Sequence, residues 1–349
     1  MKIGITYDLR TDYLDMGFSP EETAEFDSIE TIEAIDRALG TLGYETERIG
    51  NAMQLVKALS MGKTWDMVFN IAEGFSGMGR EALVPALLDA YKIPYTFSEP
   101  LVLALTLNKG MTKRVIRDLK IPTPDFFVVE HPEDIREINL QYPLFAKPVA
   151  EGTSKGVTDS SLVQDSGQLQ KTCLELLFRF GQPVLVEEFL PGREFTVGIV
   201  GTGSKARVIG AAEIFLTGAI ETGFNSYSFD SKANFQEMVN YQLATDLVAE
   251  MAMATALLSW NGLGCRDGGR VDLRCDENGI PNFIEVNPLA GLRPLVSDLP
   301  ILSEQAGVNY VELIKMIMDS ALERINIIYR TEIISQELAK PMVSLSVGG

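Results

Sequence analysis

Near residue 120 the chain changes rhythm, and that change restricts the fold more than any other feature. Ahead of it, short apolar runs alternate with helical periods. Residues 3–7 predict a buried strand. Ser28 is placed as a helix N-cap, and Ile29, Ile32, Ile35, Ala38 and Leu39 then fall on one helical face. Residues 67–71 predict a second strand and 81–90 a second helix. Alternation at this spacing predicts a parallel α/β unit over residues 1–100. Ligands of such sheets gather at the C-terminal strand ends, where Asp8 and Glu73 stand.

After a helix over 109–119 and the prolines Pro122 and Pro124, strands come mostly in pairs: 126–129, 144–147, 184–188, 195–201 and 207–213. That rhythm is α+β, with antiparallel sheet. Residues 217–236 are polar and aperiodic, which suits either an active-site cover or a plain insertion. Residues 271–275 and 283–286 form a strand pair across the turn Asp276-Glu277-Asn278-Gly279. A helix over 310–322 closes the fold, and 328–349 carries no assignable pattern.

Composition removes several functions. Across 349 residues, 48 acidic side chains face 30 basic ones, a net charge of -18. Such a surface repels phosphate backbones and anionic lipid, so neither nucleic acid nor a membrane is expected as partner. The lone histidine, His131 before Pro132, reads as an exposed loop residue rather than a catalytic ring. Cys173, Cys265 and Cys275 form no CxxC and read as buried thiols of a reducing compartment. Without a signal-type start or a long uncharged apolar run, the expected location is the cytoplasm.

Two segments carry chemistry. In AKPVAEGTSKGV (146–157), Lys147 ends a strand and Gly152, Thr153, Ser154 and Gly156 follow. Backbone N–H groups freed by glycine can converge on an anion, with lysine and hydroxyls as further donors. An ordinary turn is the plain alternative. In GRVDLRCDENGIPNFIEVNP (269–288), period two puts Glu285 and Asn287 on one face, with Asp272 opposite across the hairpin. Such an all-oxygen cluster suits Mg²⁺ bridging phosphates, and Arg270 projects to the same face. A solvated face of salt bridges is the alternative. Together the segments supply what ATP-dependent phosphoryl transfer needs.

On these residues the chain resembles the ATP-grasp superfamily, and within it the D-alanine–D-alanine ligases, over about residues 2–327. The likeness is carried by FNIAEGFSGMGREALVPALLDAYKIPYTFSEPLVLALTLNKGMTKR, KPVAEGTSKGV, VLVEEFLPGREFTV, GRVDLRCDENGIPNFIEVNP and DLPILSEQAG, in that order. It implies an N-terminal α/β substrate subdomain (1–100) and two α+β subdomains, central (101–190) and C-terminal (191–327), clasping ATP. It also implies that Lys109 and Lys147 bind phosphate beside Thr153 and Ser154. Glu187, Glu188 and Leu190 match the adenine hinge, Glu194 the ribose carboxylate, and Asp272, Glu285 and Asn287 the ligands of two Mg²⁺ ions, with Mn²⁺ an alternative. Arg270 and the Gly291 N–H match groups that stabilise the acyl-phosphate and tetrahedral intermediate. Ser297 matches the binder of the acceptor carboxylate, and Tyr227 and Lys232 match lid residues. Glu25 matches a glutamate that holds a substrate ammonium. The implied partners are small carboxylates and amines, and the implied assembly is a homodimer.

Two departures touch substrate identity. The family's LHG motif reads AEG here, so Glu73 replaces a histidine, and the lid tyrosine after the lysine is Ala233. Thr153 stands where serine is usual. Glu25, Asp27 and Glu73 then form an acidic cluster favouring a cationic substrate or an amine without a carboxylate, or else Glu73 pairs with a local arginine such as Arg80 and D-alanine still binds. Three functions stay open: an amide-forming ligase with another amino acid or amine, a true D-alanine–D-alanine ligase of peptidoglycan synthesis, and an ATP sensor without catalysis.

Overall fold

The computed structural model describes residues 1–216 and 239–338. Strand β1 (Lys2–Thr6) leads through the short helix α1 (Arg10–Asp15) to α2 (Ile29–Thr41). Strand β2 (Glu45–Gly50), helix α3 (Ala52–Ser60) and strand β3 (Met67–Asn70) follow. The three strands make a parallel sheet in the order β2-β1-β3. Ile3, Ile5 and Phe69 are fully buried, as parallel strands covered on both faces require. Helix α2 buries Ile32, Ile35, Ala38 and Leu39 at the expected spacing. Ser28 is its N-cap residue yet makes no side-chain capping bond. Strand β2 has no counterpart in the sequence reading, because ETERIG is a polar edge with one buried residue.

Helices α4 (Leu83–Ala90), α5 (Pro100–Leu107) and α6 (Lys109–Asp118) lead into a second sheet. Its strands are β4 (Phe126–Val129), β5 (Leu144–Pro148), β6 (Leu162–Val163) and β7 (Val184–Glu188), antiparallel in the order β4-β7-β5-β6. Helix α7 (Ser166–Phe180) covers this sheet with Leu169, Cys173 and Leu176, and starts where Asp165 accepts from the Gly167 and Gln168 N–H groups. The sequence reading lacks α7 as well.

Strands β8 (Glu194–Val200), β9 (Arg207–Leu216) and β10 (Val239–Leu243) precede helix α8 (Leu247–Leu263) and strands β11 (Gly268–Cys275) and β12 (Pro281–Asn287). They build an antiparallel sheet in the order β10-β9-β8-β11-β12. Ala249, Ala252, Ala256 and Trp260 of α8 lie buried against it. Helix α9 (Asp298–Gln305) packs so closely on β8 that a Cβ at Gly198 would stand 2.9 Å from Leu302 Cδ2.

The last described element, α10 (Tyr310–Leu338), outruns the expected helix over 310–322 and enters the tail that had no assignment. Its Leu313, Ile314, Ile317 and Met318 share one core with Ile3, Ile5 and Phe69. Among the described residues no helix is long and apolar enough to cross a membrane. The described cysteines are all free and buried, and His131 is exposed, as the sequence reading has them.

Candidate functional site

The β11–β12 hairpin fixes the first part of the site. Its register sets Asp272 opposite Glu285 and Arg270 opposite Asn287, with a bulge just after Asp272. All four side chains therefore share one face, as period two predicts. Asp272 accepts from Thr196 Oγ1 at 2.8 Å and from Asn287 Nδ2 at 3.2 Å. Arg270 pairs with Asp272 and, at 3.3 Å, with Asp298, whose carboxylate also takes the Tyr241 hydroxyl at 2.5 Å. Burial raises the Asp272 proton affinity, Arg270 opposes it, and Glu285 and Asp298 add to it. Burial would raise Glu285 too, but Lys109, Lys147 and Arg270 hold its carboxyl down.

Two lysines face this hairpin across a cavity of about 170 Å³. Lys109 opens α6, where Asn108 caps the helix by accepting from the Met111 N–H. Its ammonium donates to the Glu151 carbonyl at 2.6 Å and lies 3.6 Å from Glu285. Lys147, near the end of β5, pairs with Glu187 at 2.9 Å. Lys113, one turn after Lys109, is fully buried and meets Glu187 at 2.7 Å. The Glu187 side chain, matched in sequence to the adenine hinge, is thus taken up as a counter-ion to two lysines. Despite burial they hold its carboxyl below the usual range.

Glu188 lines the cavity and accepts from the Gln141 N–H at 3.1 Å. Leu190 lines the cavity, and Glu194 pairs with Arg274 at 3.2 Å. Lys113, Thr196, Arg274 and Asp298 are absent from the sequence reading. Only the spacing of Lys113 from Lys109 hints at any of them.

The loop after β5 is held in unusual backbone. Thr153, Ser154 and Gly156 have φ of 46°, 57° and 79°. A Cβ at Gly156 would stand 2.6 Å from Pro148, so only glycine fits. Thr153 and Ser154 line the cavity. Three N–H groups of the loop are spent: Gly152 on Glu25, Lys155 on the Gly152 carbonyl and Val157 on the Ser154 carbonyl.

A smaller cavity of about 120 Å³ continues past Lys109. Arg270, Asn287, Gly291, Glu73 and Glu81 all line it. A Cβ on Gly291 would lie 2.8 Å from Ser297 Oγ, which itself accepts from the Arg293 N–H at 3.1 Å. Glu25 also lines this cavity, but its carboxylate meets Arg80 at 2.7 Å and the Gly152 N–H at 2.8 Å. Arg80 thus pairs with Glu25, not with Glu73 as one sequence reading has it. Burial, then neighbouring Glu81, Glu25 and Asp27, push Glu73 well above the carboxylate range, and burial lifts Asp27 to about 7. The acidic cluster has the expected members and gains Glu81. Tyr227, Lys232, Ala233 and the expected lid over 217–236 lie outside the described residues.

The family model described as "D-ala D-ala ligase C-terminus" matches residues 115–319. An uncharacterised protein of Sinorhizobium fredii is 32% identical over 305 residues, 84% of this chain and 87% of that protein. A D-alanine–D-alanine ligase of Bordetella pertussis is 33% identical over 248 residues, 70% of this chain and 75% of that protein. The fold is shared with the D-alanine–D-alanine ligase of Bacillus anthracis complexed with ATP. That match has a TM-score of 0.68 and 23% identity, over 93% of this chain and 98% of that one. The architecture is therefore ATP-grasp, and the chain belongs to the D-alanine–D-alanine ligase family.

Proposed function

We propose that the protein is an ATP-dependent carboxylate–amine ligase that forms an amide bond through an acyl-phosphate. One observation carries the reading: Lys109 and Lys147 face Arg270, Asp272 and Glu285 across a single cavity. In this reading the lysines, with Thr153 and Ser154, hold the phosphates. Leu190, the backbone of Glu187 and Glu188, and the Glu194 carboxylate receive the nucleoside. Arg270 and the Gly291 N–H stabilise charge as a substrate carboxylate attacks the γ-phosphate and an amine displaces the phosphate. Ser297 orients the acceptor.

The donor set fits Mg²⁺. Asp272, Glu285 and Asn287 offer hard oxygens on one face, and the raised proton affinity of Asp272 marks negative charge that a divalent cation would relieve. Bound there, the metal would neutralise phosphate oxygens during transfer. We divide the chain into units 1–100, 101–190 and 191–327, a reading supported by one sheet lying within each. Free, buried thiols suit the cytoplasm. The resemblance adds a homodimer, which analytical ultracentrifugation measures.

The test is ADP release with Mg·ATP and carboxylate–amine pairs, followed by product mass. Turnover with an amide product supports the reading. ATP binding without turnover on any pair leaves a sensor. A D-alanyl-D-alanine product with D-alanine alone makes the protein a peptidoglycan-precursor enzyme and Glu73 a tolerated replacement.

A further inference from the structure

Glu73 stands just beyond β3, and Glu81 lies in the turn leading to α4. Both side chains reach the 120 Å³ cavity that holds Arg270, Asn287 and Gly291. Among the described residues, no hydrogen bond or ion pair is made to either carboxylate. Arg80, next to Glu81 in the chain, is committed elsewhere. It binds Glu25 at 2.7 Å and the Ala150 carbonyl at 2.9 Å, and both members of the Arg80–Glu25 pair are nearly buried. Lys155, 3.8 Å from Glu25, is paired with Glu151. Lys109 also lines the cavity but is held by the Glu151 carbonyl and Glu285.

Glu25 is paired with Arg80, while Glu73 and Glu81 have no cation within ion-pair distance among the described residues, and Arg80 and Lys109 act on them only from farther away. Burial raises the proton affinity of both; Glu81 adds to the rise at Glu73 and Glu25 to that at Glu81, against the pull of Arg80 on both and of Lys109 on Glu81. A zwitterion with one ammonium, bound by a free Glu25, needs neither of them. Glu25 itself ties the connection between α1 and α2 to the loop after β5, through the Gly152 N–H and, by way of Arg80, the Ala150 carbonyl.

We propose that Glu73 and Glu81 bind an ammonium at the far end of the substrate, so that the enzyme takes a basic amino acid or a diamine rather than alanine. This rests on the ligase reading of the same site. An ammonium brings three donors and one positive charge, enough to bridge two carboxylates. A neutral side chain of equal length leaves both acids desolvated and unpaired, which is what rejects it.

The experiment compares lysine and ornithine, each as D and L forms, and putrescine with norleucine, norvaline and butylamine. Each is offered with Mg·ATP alone and with D- or L-alanine as co-substrate, reading ADP release and product mass. The cationic members are expected to exceed their neutral counterparts by about 10-fold or more in kcat/KM. Glu73→Gln and Glu81→Gln each raise KM for the cationic member about 10-fold, change kcat little and shrink the cationic preference. Both substitutions remove a repulsive charge, so folding is retained.

Equal turnover of neutral counterparts, or of D-alanine alone, overturns the proposal, as does an undiminished preference in both variants. If no pair releases ADP, the ligase reading fails, and calorimetric titration of lysine and putrescine into the protein with Mg·ATP decides separately. Binding that is lost in the double Gln variant upholds the recognition. No binding overturns it.

Discussion

Glu187 shows how a residue's role depends on what folding brings to it. Its carboxylate lies between Lys113 and Lys147 in a fully desolvated site, and Lys113 also reaches the Thr123 hydroxyl at 2.9 Å. Removing one member of such a group strands the others. Glu187→Ala is expected to cost about 3–5 kcal/mol, read by denaturant unfolding, with lower ATP affinity because Lys147 loses its anchor. Arg270→Ala should lower kcat about 100-fold or more while the Kd for Mg·ATP shifts far less, measured by turnover and equilibrium titration. Glu81 makes a prediction with a sign. Its carboxyl is pushed up by burial to about 7 from an ordinary 4.5, against the pull of Arg80. The folded state therefore binds more protons than the unfolded one between those values, and stability falls as pH rises through that window. Glu81→Gln should raise Tm by about 2 °C or more at pH 8 and by less at pH 5.

At the scale of elements, the β11–β12 hairpin is held by close approach as well as by its ladder. A Cβ on Gly269 would come within 2.4 Å of the Asn287 carbonyl and 2.8 Å of the Trp260 ring, one of them backbone. Gly269→Ala is expected to destabilise the protein by about 1–3 kcal/mol and to displace Asn287, weakening Mg²⁺ affinity in a direct titration. This hairpin was readable from sequence because alternation alone sets Glu285 and Asn287 on one face, and its turn brings Asp272 opposite. Strands β1 and β3 were readable for a related reason, as short apolar runs with both faces covered. The strand β2 was not, since a polar edge lacks that contrast. Nor were the partners Asp298 and Lys113 readable: Asp298 meets Arg270 from the start of another helix, and Lys113 meets Glu187 across 74 positions of chain. The loop 151–157 was recognised by its composition, but its left-handed φ values and the commitment of three N–H groups appear only in the fold.

Across the whole molecule, Asp267 ties distant parts together. Fully buried, with φ of 65°, it accepts from the Phe97 N–H at 2.8 Å, Thr202 at 3.1 Å, Ser320 at 2.8 Å and Arg324 at 2.7 Å. Asp267→Ala strands the Arg324 guanidinium and should cost about 3–5 kcal/mol in equilibrium unfolding, with a single transition if the sheets unfold together. The same residue ties α10 to the Phe97 backbone, and α10 completes the core of the first sheet with Leu313, Ile314, Ile317 and Met318. On the ribosome, then, the opening strands emerge roughly 240 residues before the helix that covers them, a delay of about 10–50 s at ordinary elongation rates. During that interval Ile3, Ile5 and Phe69 present an apolar face that nascent-chain chaperones would shield, and residues 1–100 made alone would lack the helix that makes them soluble.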